Sequence, residues 1–216
     1  MKKRLRAIEL RLQGKSYSQI KRVLRVGKST LSLWLRRYPL SEERLRELRD
    51  FNEQRIERFR NTMRAKREKR CQEVYLREKK DLLPLTGKEL FVAGLFLYWG
   101  EGGKTSRFGT SLSNTDPRVV KFFLYWLTNI LKVPREKVVV RLHLYADMNE
   151  RIEMDFWSSK LGLPLTQFKK PYIKKTTLRG LTYKTFGHGT CNLIVGGRDL
   201  TERVLMGIKV IADKYA

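Results

Sequence analysis

Between Ser41 and Asp81 the chain has neither glycine nor proline, and Arg, Lys and Glu alternate through most of the stretch. Nothing in such a run interrupts a helix, and too few of its residues are apolar to build a core. The stretch predicts one long solvated helix and so splits the chain into two folding regions. Ser41 supplies an N-cap, and Glu42 and Glu43 sit in the first turn, where the helix dipole favours acids. Leu45, Leu48, Ile56, Phe59 and Met63 form a thin apolar stripe. About forty residues rising ~1.5 Å each would extend roughly 60 Å. Such a helix is either a plain connector or a linker that tracks phosphates or pairs with its twin in a dimer. Leu82-Leu83-Pro84 closes it. The expected organisation is therefore residues 1–40, a basic helical linker over 41–85, and a larger domain over 86–216.

Charge narrows the partners. Forty-seven Lys and Arg against twenty-two Asp and Glu leave a net charge of +25 in 216 residues, with a pI near 10.4. A surplus of this size repels itself and is usually matched by a polyanion. The basic residues run along the whole chain instead of one amphipathic segment, which favours nucleic acid over a membrane surface. No apolar run approaches the roughly 18 residues of a membrane span, and the basic start lacks an apolar signal core. A cytoplasmic, nucleoid-associated protein with no small-molecule cofactor is expected. Cys71 and Cys191 stand far apart, and His143 and His188 are too few for an ordinary zinc site.

The first region reads as three short helices. Ala7, Ile8, Leu10 and Leu12 give the first an apolar side, and Gln13-Gly14 stops it. Ser18 is the expected N-cap of the second, with Ile20, Val23 and Leu24 inward; Val26-Gly27 then turns the chain. The third carries Leu31, Trp34 and Leu35 as its buried stripe, and Pro39 ends it. Two helices joined by a short glycine-containing turn are a helix-turn-helix. Gly14–Ile20 followed by Val26–Leu35 resembles the helix-turn-helix of resolvases and transposases. That resemblance places Lys28, Ser29, Thr30, Ser32, Arg36 and Arg37 against the major groove of double-stranded DNA; the alternative, a three-helix protein-interaction module with a solvated basic face, is disfavoured by the overall charge. Gly27-Lys28-Ser29 is not a phosphate loop, because Arg22 stands where that motif needs glycine.

The third region predicts an α+β domain. Helical patterns cover 88–100, 117–131, 149–161 and 199–214; strand patterns lie near 107–113, 137–145, 166–174 and 183–195. In the clearest strand Val138, Val140, Leu142 and Leu144 face one way, and Lys137, Arg141, His143 and Tyr145 the other. Gln167, Lys169, Lys170 and Lys174 add polar and basic groups beside aromatics. An antiparallel sheet with helices on one face and cations on the other is either a β reader of DNA or an ordinary sheet with one wet face, and the density of Lys and Arg favours the reader.

One acid stands out. The apolar run Phe91–Trp99 ends at Glu101, between Gly100 and Gly102, with no other acid from Leu90 to Asn114. A lone carboxylate in so basic a chain suits a divalent cation beside an anion. Val92-Ala93-Gly94-Leu95, Gly100-Glu101-Gly102 and the later Leu112–Arg118 make residues 86–216 resemble the LAGLIDADG homing endonucleases. What the resemblance implies is a homodimer whose motif helices pack together through Gly94, Leu97 and Tyr98. It further implies paired acids holding Mg2+ or another divalent cation through Glu101 and the Gly100 carbonyl, and hydrolysis of DNA phosphodiesters. Phe96 and Trp99 depart from that motif. Lys104 and Lys170, with Lys169, Gln167, Lys184 and His188, are weaker candidates to assist at phosphate. Glu101 is alternatively a structural acid, and the chain alternatively a non-cleaving transcription regulator. A recombinase accessory is the remaining reading, disfavoured because the resolvase-like likeness ends at the helix-turn-helix.

Overall fold

In the computed structural model, which describes residues 2–48, 51–105, 108–177 and 187–215, the chain forms two units, Met1–Leu83 and Pro84–Ala216.

The first unit begins with α1 (Lys2–Leu12), α2 (Tyr17–Leu24) and α3 (Lys28–Leu35). Ala7, Leu10, Tyr17, Ile20, Leu31 and Leu35 are their common core. The N-cap of α2 is Ser16 and not Ser18: its hydroxyl accepts from the Gln19 N–H while Gln19 reaches back to the Ser16 N–H, a reciprocal capping box. Val23, expected inward, is 64% exposed, and Tyr17 joins Ile20 in the core instead. Leu12, also expected inward, is exposed at the end of α1.

The long helix is interrupted. α4 (Glu42–Glu47) ends at Leu48, whose backbone is extended, and α5 runs from Phe51 to Leu82. Leu40, Leu45 and Leu48 gather into a small cluster of their own, which the break at Leu48 permits. At 32 residues α5 spans about 48 Å. The side of it that packs is also not the apolar stripe: Phe59 and Met63 are exposed, whereas Glu53 and Glu57 are buried. Arg11 grips Glu57 through both nitrogens of its fork, at 3.1 and 2.8 Å. The Tyr17 N–H donates to the same carboxylate at 2.9 Å. Glu53 accepts from the Ser16 hydroxyl and from Arg22.

The second unit comprises α6 (Gly87–Glu101), β1 (Gly109–Asn114), α7 (Pro117–Tyr125), β2 (Val139–Tyr145), α8 (Glu150–Leu161), β3 (Phe168–Lys174), β4 (Thr190–Gly196) and α9 (Arg198–Tyr215). The helix expected over 117–131 is α-helical only to Tyr125 and continues as a π turn, Trp126–Ile130, that brings Trp126 and Leu127 into the core. Lys137 lies in a 3-10 turn before β2, not in the strand.

The sheet is mixed, not antiparallel. Its order is β1-β4-β2-β3, with β4 antiparallel to both neighbours and β3 parallel to β2. The parallel pair arises because α8 carries the chain back over the sheet between β2 and β3, a crossover that period-2 patterning does not reveal. Leu112, Leu193, Val140 and Phe168 line up across the strands and join side chains of α6 to α9 in one core. No helix of the described residues is long and apolar enough to cross a membrane by itself.

Candidate nucleic-acid interface

On α3, Lys28 and Ser29 are exposed and Thr30 and Ser32 are half-buried above the Leu31 and Leu35 core; Arg36, its C-cap, and Arg37 are exposed just past its end. The N-cap of α3 is Gly27, which makes no side-chain cap, so the first N–H groups of the helix stay open beside Lys28. Around the turn lies a shallow depression lined by Ser18, Lys21, Arg22, Arg25, Val26, Gly27 and Lys28. Lys21 and Arg25 of this depression are not among the residues the helix-turn-helix resemblance selects, although both are cations just before Val26-Gly27. Leu33 is not among the selected residues either. It is 63% exposed on the face shared with Ser29 and Arg37, four residues to either side.

The face of the sheet opposite the helices carries the second group of cations. Register puts Ser113, Asn192, Arg141 and Lys169 in one row, Thr190, His143 and Tyr172 in the next, then Tyr145 and Lys174. Arg141, Lys169 and Lys170 are exposed, and the Lys174 ammonium sits 4.7 Å from the Tyr145 ring centre. Burial, reinforced by Lys174 and Arg141, pushes the His143 imidazole below its ordinary value, so the ring is neutral at pH 7. Gln167 does not belong to this surface. Its amide donates to the Arg135 and Val138 carbonyls at 2.8 and 2.7 Å and ties the start of β3 to β2.

Glu101 is the last residue of α6 and is exposed. Gly102 caps the helix through its N–H to the Tyr98 carbonyl, 2.8 Å, and bridges to Leu112 of β1. Asn114 donates to Glu101 at 3.3 Å. The next acid along the chain, Asp116, is occupied by Arg118 at 2.8 Å, which holds its carboxyl below the usual range. The exposed α-carbonyl end favours a cation near Glu101. Among the described residues no three His, Cys, Asp or Glu side chains converge on a common point.

The remaining candidates disperse. Lys104 is exposed and donates to the Gly102 carbonyl. Lys169 and Lys170 lie on the far edge strand β3, three strand positions from β1, or roughly 14 Å. His188 is held by Glu153 at 2.7 Å and stacks on Phe156 with ring centres 3.5 Å apart. Lys184 falls outside the described residues. Gly94 and Tyr98, expected between copies, are used within the unit: Gly94 lies against Trp126, and Tyr98 is fully buried on Phe123 with its hydroxyl donating to the Gly103 carbonyl. Leu97 is half-buried. The side of α6 left open carries Ala93, Phe96 and Gly100; Phe96 is 52% exposed, and nothing lies within 4 Å of where a Gly100 Cβ would be.

No curated protein and no solved structure matches the chain. Residues 1–49 match the family of the Homeodomain-like domain. The first unit therefore carries a helix-turn-helix domain of the kind associated with DNA binding, built by α1, α2 and α3.

Proposed function

We propose that the chain is a sequence-specific binder of double-stranded DNA and, as a homodimer, a metal-dependent endonuclease of the LAGLIDADG type. The observation that carries DNA binding is the helix-turn-helix match at residues 1–49, with Lys28 and Ser29 exposed on its third helix and Arg36 and Arg37 exposed just past its end. Thr30 and Ser32 border the same face, and Leu33 offers an apolar contact for a thymine methyl. Lys137, Arg141, Lys169 and Lys174 of the second unit, beside His143, meet phosphate.

Cleavage rests on Glu101. The open side of α6, with small residues Ala93 and Gly100 flanking Phe96, suits close pairing with a second copy, which would supply the second acid. A divalent cation would be held by Glu101 and the Gly100 carbonyl, and when bound it lowers the barrier to phosphodiester hydrolysis by neutralising developing charge. Asn114 orients the Glu101 carboxylate, and Lys104 lies near enough in sequence to draw a phosphate to it. The non-cleaving regulator is favoured by the single acid per copy and by the parallel β2–β3 pair.

Two measurements decide. Arg37→Ala should weaken duplex binding and lower the slope of log K against log salt by about one, the share of one phosphate contact; an unchanged slope removes Arg37 from the interface. Incubation with DNA flanking the gene and magnesium should give double-strand cuts that Glu101→Ala abolishes. Specific binding without cuts leaves the regulator.

A further inference from the structure

We propose that the open face of the four-stranded sheet binds single-stranded nucleic acid, stacking unpaired bases on Tyr172 and His143. The proposal rests on reading this face as a nucleic-acid surface and specifies what it holds. Tyr172 is 58% exposed, a large ring left uncovered on the sheet. Its ring meets that of His143 edge-on, with centres 5.5 Å apart and planes at 61°.

The backbone puts it there. Arg141 pairs with Lys169, yet His143 pairs with Tyr172, so β3 uses one residue more than β2 across this interval. The extra residue is a bulge at Lys170-Pro171. Proline has no N–H for a ladder and suits an edge strand or a bulge. Without the bulge Pro171 would face His143, and Tyr172 would turn toward the helices. With it, Lys169, Tyr172 and Lys174 all project from the open face while Pro171 is buried.

Arg141 and Lys169 stand one row from the rings, and Lys174 one row beyond, so cations flank the aromatic pair on both sides. This is the combination that single strands select: a basic track for the backbone with π surfaces between. Duplex DNA has its base faces already stacked and gives an exposed tyrosine ring nothing to cover. Unpaired bases do.

The test uses the full chain and fluorescein-labelled oligothymidylate and oligouridylate, followed by anisotropy in salt high enough to screen the basic surface. Binding of either supports the proposal, and the tighter of the two names the source. Tyr172→Ala should weaken it about tenfold or more, and Tyr172→Phe should keep it, while duplex binding is unchanged in both. Tyr172→Ala binding as tightly as the wild-type chain, with Lys169→Ala weakened when the titration of both variants is repeated in low salt, would overturn stacking but keep a phosphate surface. If neither variant weakens binding, both readings of this face fall. Equal loss of duplex and single-strand binding in Tyr172→Ala would also overturn the proposal.

Discussion

Replacing Arg11 by methionine is expected to cost the first unit about 3–5 kcal/mol, the range for leaving one member of a buried ion pair without the other. Both side chains are 2% exposed. Arg11 also donates to the Tyr38 carbonyl at 2.7 Å and to the Lys15 carbonyl at 3.1 Å. One guanidinium thus joins α1, the turn before α2, the chain after α3, and α5. Glu57→Leu should cost as much, because it strands the Arg11 charge and leaves the Tyr17 N–H without its acceptor. The double variant should cost less than the sum, since it buries no lone charge, but more than nothing. The Tyr17 N–H and the two carbonyls still lose partners, at about 1–3 kcal/mol for each one left dry. Amide exchange of α1 to α3 in the full chain reads this directly, and the melting temperature of the unit should fall by at least roughly 12 °C in each single variant. Additive costs in the double would mean that the pair is not a coupled lock.

That lock marks the limit of what the chain discloses by pattern. The helices of the first unit were legible because their apolar residues recur at helical spacing and Gly14 and Gly27 punctuate them. Glu53 and Glu57 looked like two more solvated acids in a charged run, for nothing local distinguishes a carboxylate that folds back on Arg11 from one that faces water. The strand β2 was legible through its strict alternation from Val138 to Tyr145. The crossover to β3 was not, because parallel and antiparallel neighbours require the same alternation. Register decides the remainder: Tyr172 reaches the open face only through the bulge at Pro171, and Gln167 leaves the set expected to face DNA because its amide closes the end of a strand. Glu101 was legible as an acid out of place. What its helix packs against was not, since α6 is apolar on nearly every side and several of its faces qualify.

Gly94→Ala separates those faces. A Cβ at Gly94 would stand 2.0 Å from Trp126 Nε1 and 2.1 Å from its Cε2, so the indole must move. Trp126 is fully buried, stacks near Phe91 and Phe123, and donates its ring N–H to the Phe91 carbonyl at 3.2 Å. Overpacking costs about 1–3 kcal/mol, and the buried Trp126 N–H losing its acceptor about 1–3 more. The expected loss is therefore about 3 kcal/mol or more, read as a fall in melting temperature that does not change with protein concentration. Gly100→Ala, with no atom near, should stay within about 1 kcal/mol in the same assay. Trp126→Leu also destabilises by opening a cavity, but combined with Gly94→Ala it relieves the overlap, so the pair should cost less than the two separately. If Gly94 instead faced a second copy, the loss would track protein concentration, and Trp126→Leu would not rescue it. Alanine at Gly94 would also shift α6 on its sheet and with it the carboxylate at its end. Any cutting that depends on Glu101 should then fail together with the fold of the second unit, while the helix-turn-helix continues to bind duplex.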